Sequence, residues 1–192
     1  MINRYIYVKF LVGINQNPIK SVKLLNMRIL GIDPGFERLG VTVMEKSAPK
    51  HIVIFSECFK TSAKLEFAER LRLIGEEVRK IIKKYQPEVL AIETLFLNTN
   101  QKTVMRVAEA RGVVVYEAAM AGLKIFEASP PQIKVATTGY GRSDKTQINK
   151  MVKILVDIDN SKKSDDELDA IAIALAAFAY NHRSTPIKTD KF

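Results

Sequence analysis

The segment Arg28-Ile-Leu-Gly-Ile-Asp-Pro-Gly35 limits the folds open to this chain more than any other. Its apolar run predicts a buried strand. A carboxylate, Asp33, arrives where Pro34 and Gly35 break that strand, and a second apolar run, Leu39 to Met44, follows at once. The pattern is strand, tight turn, strand, with an acid at the end of the first strand. A lone carboxylate in that place is costly to bury unless a metal or another cation pairs with it. Three acids further along, Glu93, Asp166 and Asp169, are the candidates to join it.

The rest of the chain supplies elements that can carry them there. Arg28–Asp33, Leu39–Lys46 and His51–Phe59 read as consecutive strands with short links, which predicts an antiparallel meander; Pro49, in the second link, cannot continue a central strand. Glu66 to Tyr85 reads as a helix. Phe67, Leu71, Ile74, Val78, Ile81 and Tyr85 form its apolar face, with Arg70, Glu77, Lys80 and Lys84 opposite, and Pro87 stops it. Glu88–Glu93 is then a short buried strand that also ends in an acid. A helix between two strands predicts a crossover, so this strand should lie parallel to the first.

Residues 95–100 read as a loop and Gln101 to Ala121 as a second helix, with Gly112 in its middle. A glycine there costs roughly 1 kcal/mol against alanine, and close packing is the expected reason. Leu123–Ala128 is the fifth strand. Pro130-Pro131 opens a short helix, Gln132 to Ala136. A glycine-rich loop, Thr137 to Asp144, leads into a helix from Lys145 to Val156, capped by Ser143 or Asp144. Residues 157–163 read as a polar linker. Ser164 and Glu167 have the spacing of a capping box at the head of the last helix, Asp165 to about Asn181, whose small apolar residues suit close packing on a sheet.

With 192 residues and 47% hydrophobic content, one compact domain is expected. The net charge of +9 points to a polyanionic partner. Residues 1–26 contribute Arg4, Lys9, Lys20 and Lys23 and no acid, so +4 of that sum lies in them and 9 − 4 = +5 in the remainder. Met27 opens the first convincing strand. Residues 1–26 are therefore expected to be an extension, disordered or an artefact of start-site choice, before a domain of residues 27–183 and a frayed tail, 184–192. The single cysteine, Cys58, allows no internal disulfide and no cysteine metal site, which suits a cytoplasmic protein; it reads as a small core residue. No apolar run reaches the ~20 residues of a membrane helix.

Asp33 and Glu93 end two strands expected to be parallel neighbours, so both should face the crevice at the strand ends. Asp166 and Asp169, three apart in the first turn of a helix, share a face. Four such charges repel one another and raise one another's pKa. Divalent cations relieve that conflict, and an oxygen-only donor set selects a hard ion, Mg²⁺ or Mn²⁺. Two such ions can activate water and stabilise the leaving oxygen in phosphodiester hydrolysis.

The order of elements resembles the RNase H-like nuclease superfamily, and the wording of the motifs resembles the RuvC family of Holliday junction resolvases. The matching segments are Ile29-Leu-Gly-Ile-Asp-Pro-Gly35, Ala91-Ile-Glu-Thr-Leu-Phe96, Glu109-Ala-Arg-Gly-Val113, Gln132-Ile-Lys134, Asp144-Lys-Thr-Gln147 and Asp166-Glu-Leu-Asp-Ala-Ile-Ala172. The resemblance implies an α/β fold with a five-stranded mixed sheet, three strands antiparallel and then two parallel, flanked by helices. It implies that Asp33, Glu93, Asp166 and Asp169 are the catalytic acids and hold Mg²⁺, two ions per subunit, with Mn²⁺ as a substitute. It implies that Phe96 stacks on an unpaired base of a four-way DNA junction, and that Lys134 and Lys145 hold phosphate; Arg142 and Arg106 are further phosphate candidates. It also implies a homodimer, for which helix 101–121 is the candidate interface, and a RuvA–RuvB branch-migration complex as partner. The expected reaction is two symmetric nicks that resolve the junction in recombination and repair. The alternatives are a YqgF-like nuclease of the same fold acting on RNA and a junction-binding protein without catalysis. An actin-like ATPase, whose first strand also ends in Asp-x-Gly, would need a much longer chain.

Overall fold

The computed structural model describes residues 27–95, 101–158 and 163–181. Six strands and five helices alternate along them: β1 Arg28–Asp33, β2 Arg38–Glu45, β3 His51–Lys60, α1 Phe67–Tyr85, β4 Val89–Glu93, α2 Gln101–Met120, β5 Lys124–Ala128, α3 Pro130–Thr138, α4 Lys145–Leu155, β6 Val156–Asp157 and α5 Asp165–Asn181. The sheet has the order β5-β4-β1-β2-β3-β6. β1, β2 and β3 form the antiparallel meander, and β4 and β5 add in parallel on the other side of β1.

The expected five strands become six. Val156 and Asp157, assigned from sequence to a helix end and a linker, instead lie parallel to β3, Val156 opposite His51. Two residues give too short a run for periodicity to register. α3 also runs longer than Gln132–Ala136, from Pro130 to Thr138, because Pro130 and Pro131 fit a first helical turn and Gly139 closes the helix in the left-handed region.

Alternation along the strands sorts side chains into two cores. Leu30 and Ile32 of β1 and Leu90 and Ile92 of β4 pack with Ile74, Val78, Ile81, Ala110 and Val114 of α1 and α2. Ile29, Val89 and Ala91 face the other way, onto Ile171, Ala174, Ala177 and Phe178 of α5. Because side chains alternate with a period of two, Asp33 and Glu93 fall on the α5 face. The alanines of α5 bring its backbone close to the sheet. A Cβ on Gly31 would lie 2.5 Å from the Ala170 carbonyl oxygen and 2.9 Å from the Ala174 Cβ, so only glycine permits this approach.

Two expectations change here. Arg70, assigned to the polar face of α1, is buried: its Nε donates to Thr61 Oγ1 at 2.8 Å and its guanidinium lies 4.9 Å from the Phe36 ring centre. Gly112 lacks the expected close packing among the described residues: a Cβ there would meet no atom within 4 Å. Among the described residues no helix is long and apolar enough to cross a membrane.

Candidate active site

The helices that carry the candidate side chains begin at capping boxes, which fix where those side chains point. At α3, Gln132 Oε1 accepts from the Ser129 amide at 2.9 Å, and Lys134 follows in the first turns. At α4, the Asp144 carboxylate accepts from the Gln147 amide at 2.8 Å while Gln147 Oε1 accepts from the Asp144 amide at 3.0 Å, so Asp144 rather than Ser143 is the cap and Lys145 leads the helix. At α5, Glu167 Oε1 accepts from the Ser164 amide at 3.0 Å, and its other oxygen accepts from Ser56 Oγ of β3 at 2.7 Å. That second bond anchors the head of α5 to the sheet. A Cβ on Gly40 would lie 2.1 Å from the Asp166 carbonyl oxygen and 3.1 Å from the Asp33 Cβ, so glycine here lets the head of α5 reach β1.

The result is a cleft at the strand ends made of two hollows of about 250 Å³ each. Asp33, Glu93 and Pro130 belong to both. One hollow adds Asp169, Lys134 and Lys145 over a floor of Ile133, Ile148 and Ile173. The other is largely apolar, with Leu95, Val104 and Val107 beside Thr94 and Thr103. The carboxylates of Asp33 and Glu93 thus stand where the hollow that holds Asp169 and the two lysines meets the one lined by Leu95, Val104 and Val107.

The electrostatics follow from this crowding. Burial, and then the charges of Asp169, Glu93 and Asp166, push the Asp33 carboxyl up to about 7, against a smaller opposing pull from Lys145. Burial and Asp169 raise Glu93. Burial raises Asp169 too, although Lys145 Nζ donates to its Oδ2 at 3.1 Å. For Lys145, the cost of burial is outweighed by Asp169 and Asp165, which hold the ammonium above its ordinary range.

Asp166 behaves differently. It lines neither hollow, although its charge still reaches Asp33. Its Oδ2 accepts from Arg38 Nε at 2.9 Å, from a second nitrogen of the same guanidinium, and from Cys58 Sγ at 3.4 Å. Burial favours a raised pKa, but these donors outweigh it and the carboxyl is lowered. Cys58, expected in the core, is only partly buried and sits beside this acid.

The other sequence candidates divide. Lys134 and Lys145 join Asp33, Glu93 and Asp169 in one hollow. Arg142 is exposed on the loop before α4 and is not among the residues lining either hollow. Arg106 is exposed, its guanidinium rests over the rings of Phe36 at 5.8 Å and Phe67 at 5.2 Å, and it is not among the residues lining either hollow. Phe96 lies outside the described residues. Arg38 and Arg111 were not expected at the site. Arg111 Nε donates to the Glu93 carbonyl at 3.1 Å and its guanidinium reaches Glu127 at 2.5 Å, which ties the end of β4 to α2 and β5. The segment Glu109–Val113 contains Arg111, but spacing alone does not show that it grips the strand carrying Glu93.

Among the described residues no set of three or more His, Cys, Asp or Glu side chains is arranged ready to hold a metal ion. The donors nonetheless fit a hard divalent cation. They are oxygens only, and burial, followed by the charges of Asp169, Glu93 and Asp166, raises the Asp33 carboxyl more than Lys145 lowers it. Lys145 and Arg38 meet only part of the need, one on Asp169 and the other on Asp166.

Comparison with known proteins agrees. A family model described as "Crossover junction endodeoxyribonuclease RuvC" matches residues 29–177. A relative of that description from Halothermothrix orenii is 43% identical over 149 residues, covering 78% of this chain and 90% of its own. One from Thermosipho melanesiensis is 44% identical over 148 residues, covering 77% and 94%. Among solved structures, T. thermophilus RuvC in complex with Holliday junction substrate superposes with a TM-score of 0.76 at 31% identity, over 81% of this chain and 94% of that one.

Proposed function

This chain belongs to the RuvC family of crossover junction endodeoxyribonucleases, and from that premise we propose that Asp33, Glu93, Asp169 and Asp166 are the acids with which it cuts Holliday junctions. The protein is an endonuclease acting on DNA crossover junctions. The observation that carries the site assignment is the shared position of Asp33 and Glu93 at the meeting of the two hollows, with Asp169 facing them from α5. The domain is residues 27–183, with residues 1–26 and 184–192 outside it.

Asp33, Glu93 and Asp169 would hold Mg²⁺, two ions per subunit, with Asp166 completing the set and Mn²⁺ able to substitute. Bound there, the ions lower the pKa of an attacking water and offset charge on the phosphate. The chain's own groups do the rest. Lys134 and Lys145 hold the scissile phosphate over the acids by charge, a contact that carries no sequence information. The apolar side of the cleft excludes water and takes the neighbouring nucleotide. Attack forms a water-oxygen–phosphorus bond and breaks the bond to the 3′ oxygen, leaving 5′-phosphate and 3′-hydroxyl ends. Phe96 follows Leu95 of that hollow in sequence and stacks on an unpaired base at the crossover.

A four-way junction presents two equivalent strands, so a two-fold homodimer offers one site to each. The outer stripe of α2 supports this reading. Met105, Tyr116 and Met120 are 60%, 59% and 70% exposed, and Gly112 lies open between them. A glycine with open space around it among the described residues, on a stripe that also carries the exposed Glu109, is well placed for the close approach of a second copy of α2. The two nicks resolve the junction for recombination and repair in the cytoplasm, downstream of a RuvA–RuvB complex. The test is incubation with an immobile DNA junction and with a structured RNA of equal length. Cutting of the DNA alone is expected; cutting of the RNA alone would favour the YqgF-like reading, and binding without cutting the non-catalytic one.

A further inference from the structure

Arg38 has no place in the reaction described above, yet it pairs with Asp166, the one candidate acid that lines neither hollow. It opens β2 directly after the Asp33 turn, and its side chain is half exposed. Two of its nitrogens grip one oxygen of Asp166, and Cys58 supplies a third donor to the same atom. The backbone of Asp166 is already pressed against Gly40, next to the Asp33 Cβ. Its side chain is held towards Arg38, although its charge still acts on Asp33 and Asp169. In the strand register Arg38 stands opposite Lys60, so this corner of the sheet stays cationic while Asp166 is engaged.

We propose that Arg38 is a positioning residue that holds Asp166 aside in the DNA-free protein and releases it when a DNA phosphate takes the guanidinium. The proposal rests on the reading of Asp166 as a metal ligand. The exchange is chemically balanced: Arg38 trades a carboxylate for a phosphodiester, and Asp166 trades a guanidinium for a divalent cation. It is also easily reversed. An ion pair this exposed is worth at most about fivefold in an equilibrium constant, so either a phosphate or a metal ion can compete with it. Arg38 suits the role better than lysine would, because its planar fork grips either anion at two points. By linkage, docking of DNA then raises metal affinity and metal raises DNA affinity by the same factor.

The experiment measures Mn²⁺ binding to the DNA-free protein through the loss of the free-ion signal in electron paramagnetic resonance. Arg38→Gln is expected to bind Mn²⁺ roughly two- to fivefold more tightly than the wild type. Arg38→Lys keeps the charge and loses the fork, and should tighten binding in the same direction. In a second arm, the affinity for a labelled four-way junction is compared in Ca²⁺ and in EDTA, and the gain due to Ca²⁺ should be smaller in Arg38→Gln than in the wild type. Unchanged or weaker Mn²⁺ binding in Arg38→Gln overturns the proposal. Tightening in Arg38→Gln but not in Arg38→Lys also overturns it, since the effect would then be net charge. Circular dichroism checks that each variant is folded, and Arg38→Lys carries the test if Arg38→Gln is not. Asp33→Asn separates the two levels: if it binds Mn²⁺ as tightly as the wild type, the acids are not the metal site and the underlying reading fails first.

Discussion

Asp33 and Glu93 occupy equivalent places at the ends of two parallel strands, each one residue past the paired Ile32 and Ile92. The pairing brings two carboxylates side by side on the α5 face with no cation between the strands themselves. Burial first, and then the charges of Asp169, Glu93 and Asp166, push the Asp33 carboxyl to about 7.

Removing that charge should stabilise the metal-free protein while abolishing its chemistry. Asp33→Asn is expected to retain junction binding, which rests on Lys134, Lys145 and the DNA phosphates, and to lose cleavage in Mg²⁺. The same variant should melt higher than the wild type at pH 8 in EDTA, by an amount of order 1–4 kcal/mol. Thermal unfolding of both proteins checks this; an unchanged or lower Tm contradicts it.

The pH dependence has a definite sign. An unfolded Asp33 loses its proton near 3.8, whereas the folded one keeps it until about 7. Between those values the folded state binds more protons, so stability falls as pH rises from about 4 to 7 and levels off above. The raised carboxyls of Glu93 and Asp169 act in the same direction. Mg²⁺, which binds the ionised acids, should therefore raise Tm more at pH 8 than at pH 5. Melting curves with and without Mg²⁺ at the two values test it.

Gly40→Ala should damage the site by geometry alone. The added Cβ would stand 2.1 Å from the Asp166 carbonyl oxygen, against backbone that cannot swing aside. The head of α5 must then move off β2, at a cost of roughly 1–3 kcal/mol. Cleavage should fall by more than the folded fraction does. Parallel chemical denaturation and junction-cutting assays measure the two losses.

Gly112→Ala discriminates between a packing and a purely local role for α2. In an isolated chain it should stabilise the helix by about 1 kcal/mol, because nothing obstructs a methyl group there. If the outer stripe of α2 meets a second copy, the same change weakens the dimer, and Met120→Asp disrupts it outright. Analytical ultracentrifugation across a range of concentrations reads the difference.

Much of this arrangement was legible in the chain. The apolar runs Arg28–Asp33 and Glu88–Glu93 each end in an acid, and the helix between them implied parallel strands, so both acids were expected at one crevice. The Ser164–Glu167 spacing and the candidate cap Asp144 marked helix starts that the structure keeps. What stayed hidden depends on contacts between residues far apart in sequence. The strand β6 is too short to show a period. Arg70 sits among charges on a helical pattern and is buried only because Thr61 and the Phe36 ring wait in the preceding loops. The Arg38 grip on Asp166 joins residues 128 positions apart, and no local rule links them.

The most direct test of the central claim is cleavage of an immobile four-way DNA junction by the wild-type protein with Mg²⁺, and again with EDTA in its place. Paired, symmetric nicks with 5′-phosphate ends are expected in Mg²⁺ and intact junction in EDTA. Equal cutting in both would contradict the assignment of Asp33, Glu93, Asp166 and Asp169 as the acids of a metal-dependent nuclease.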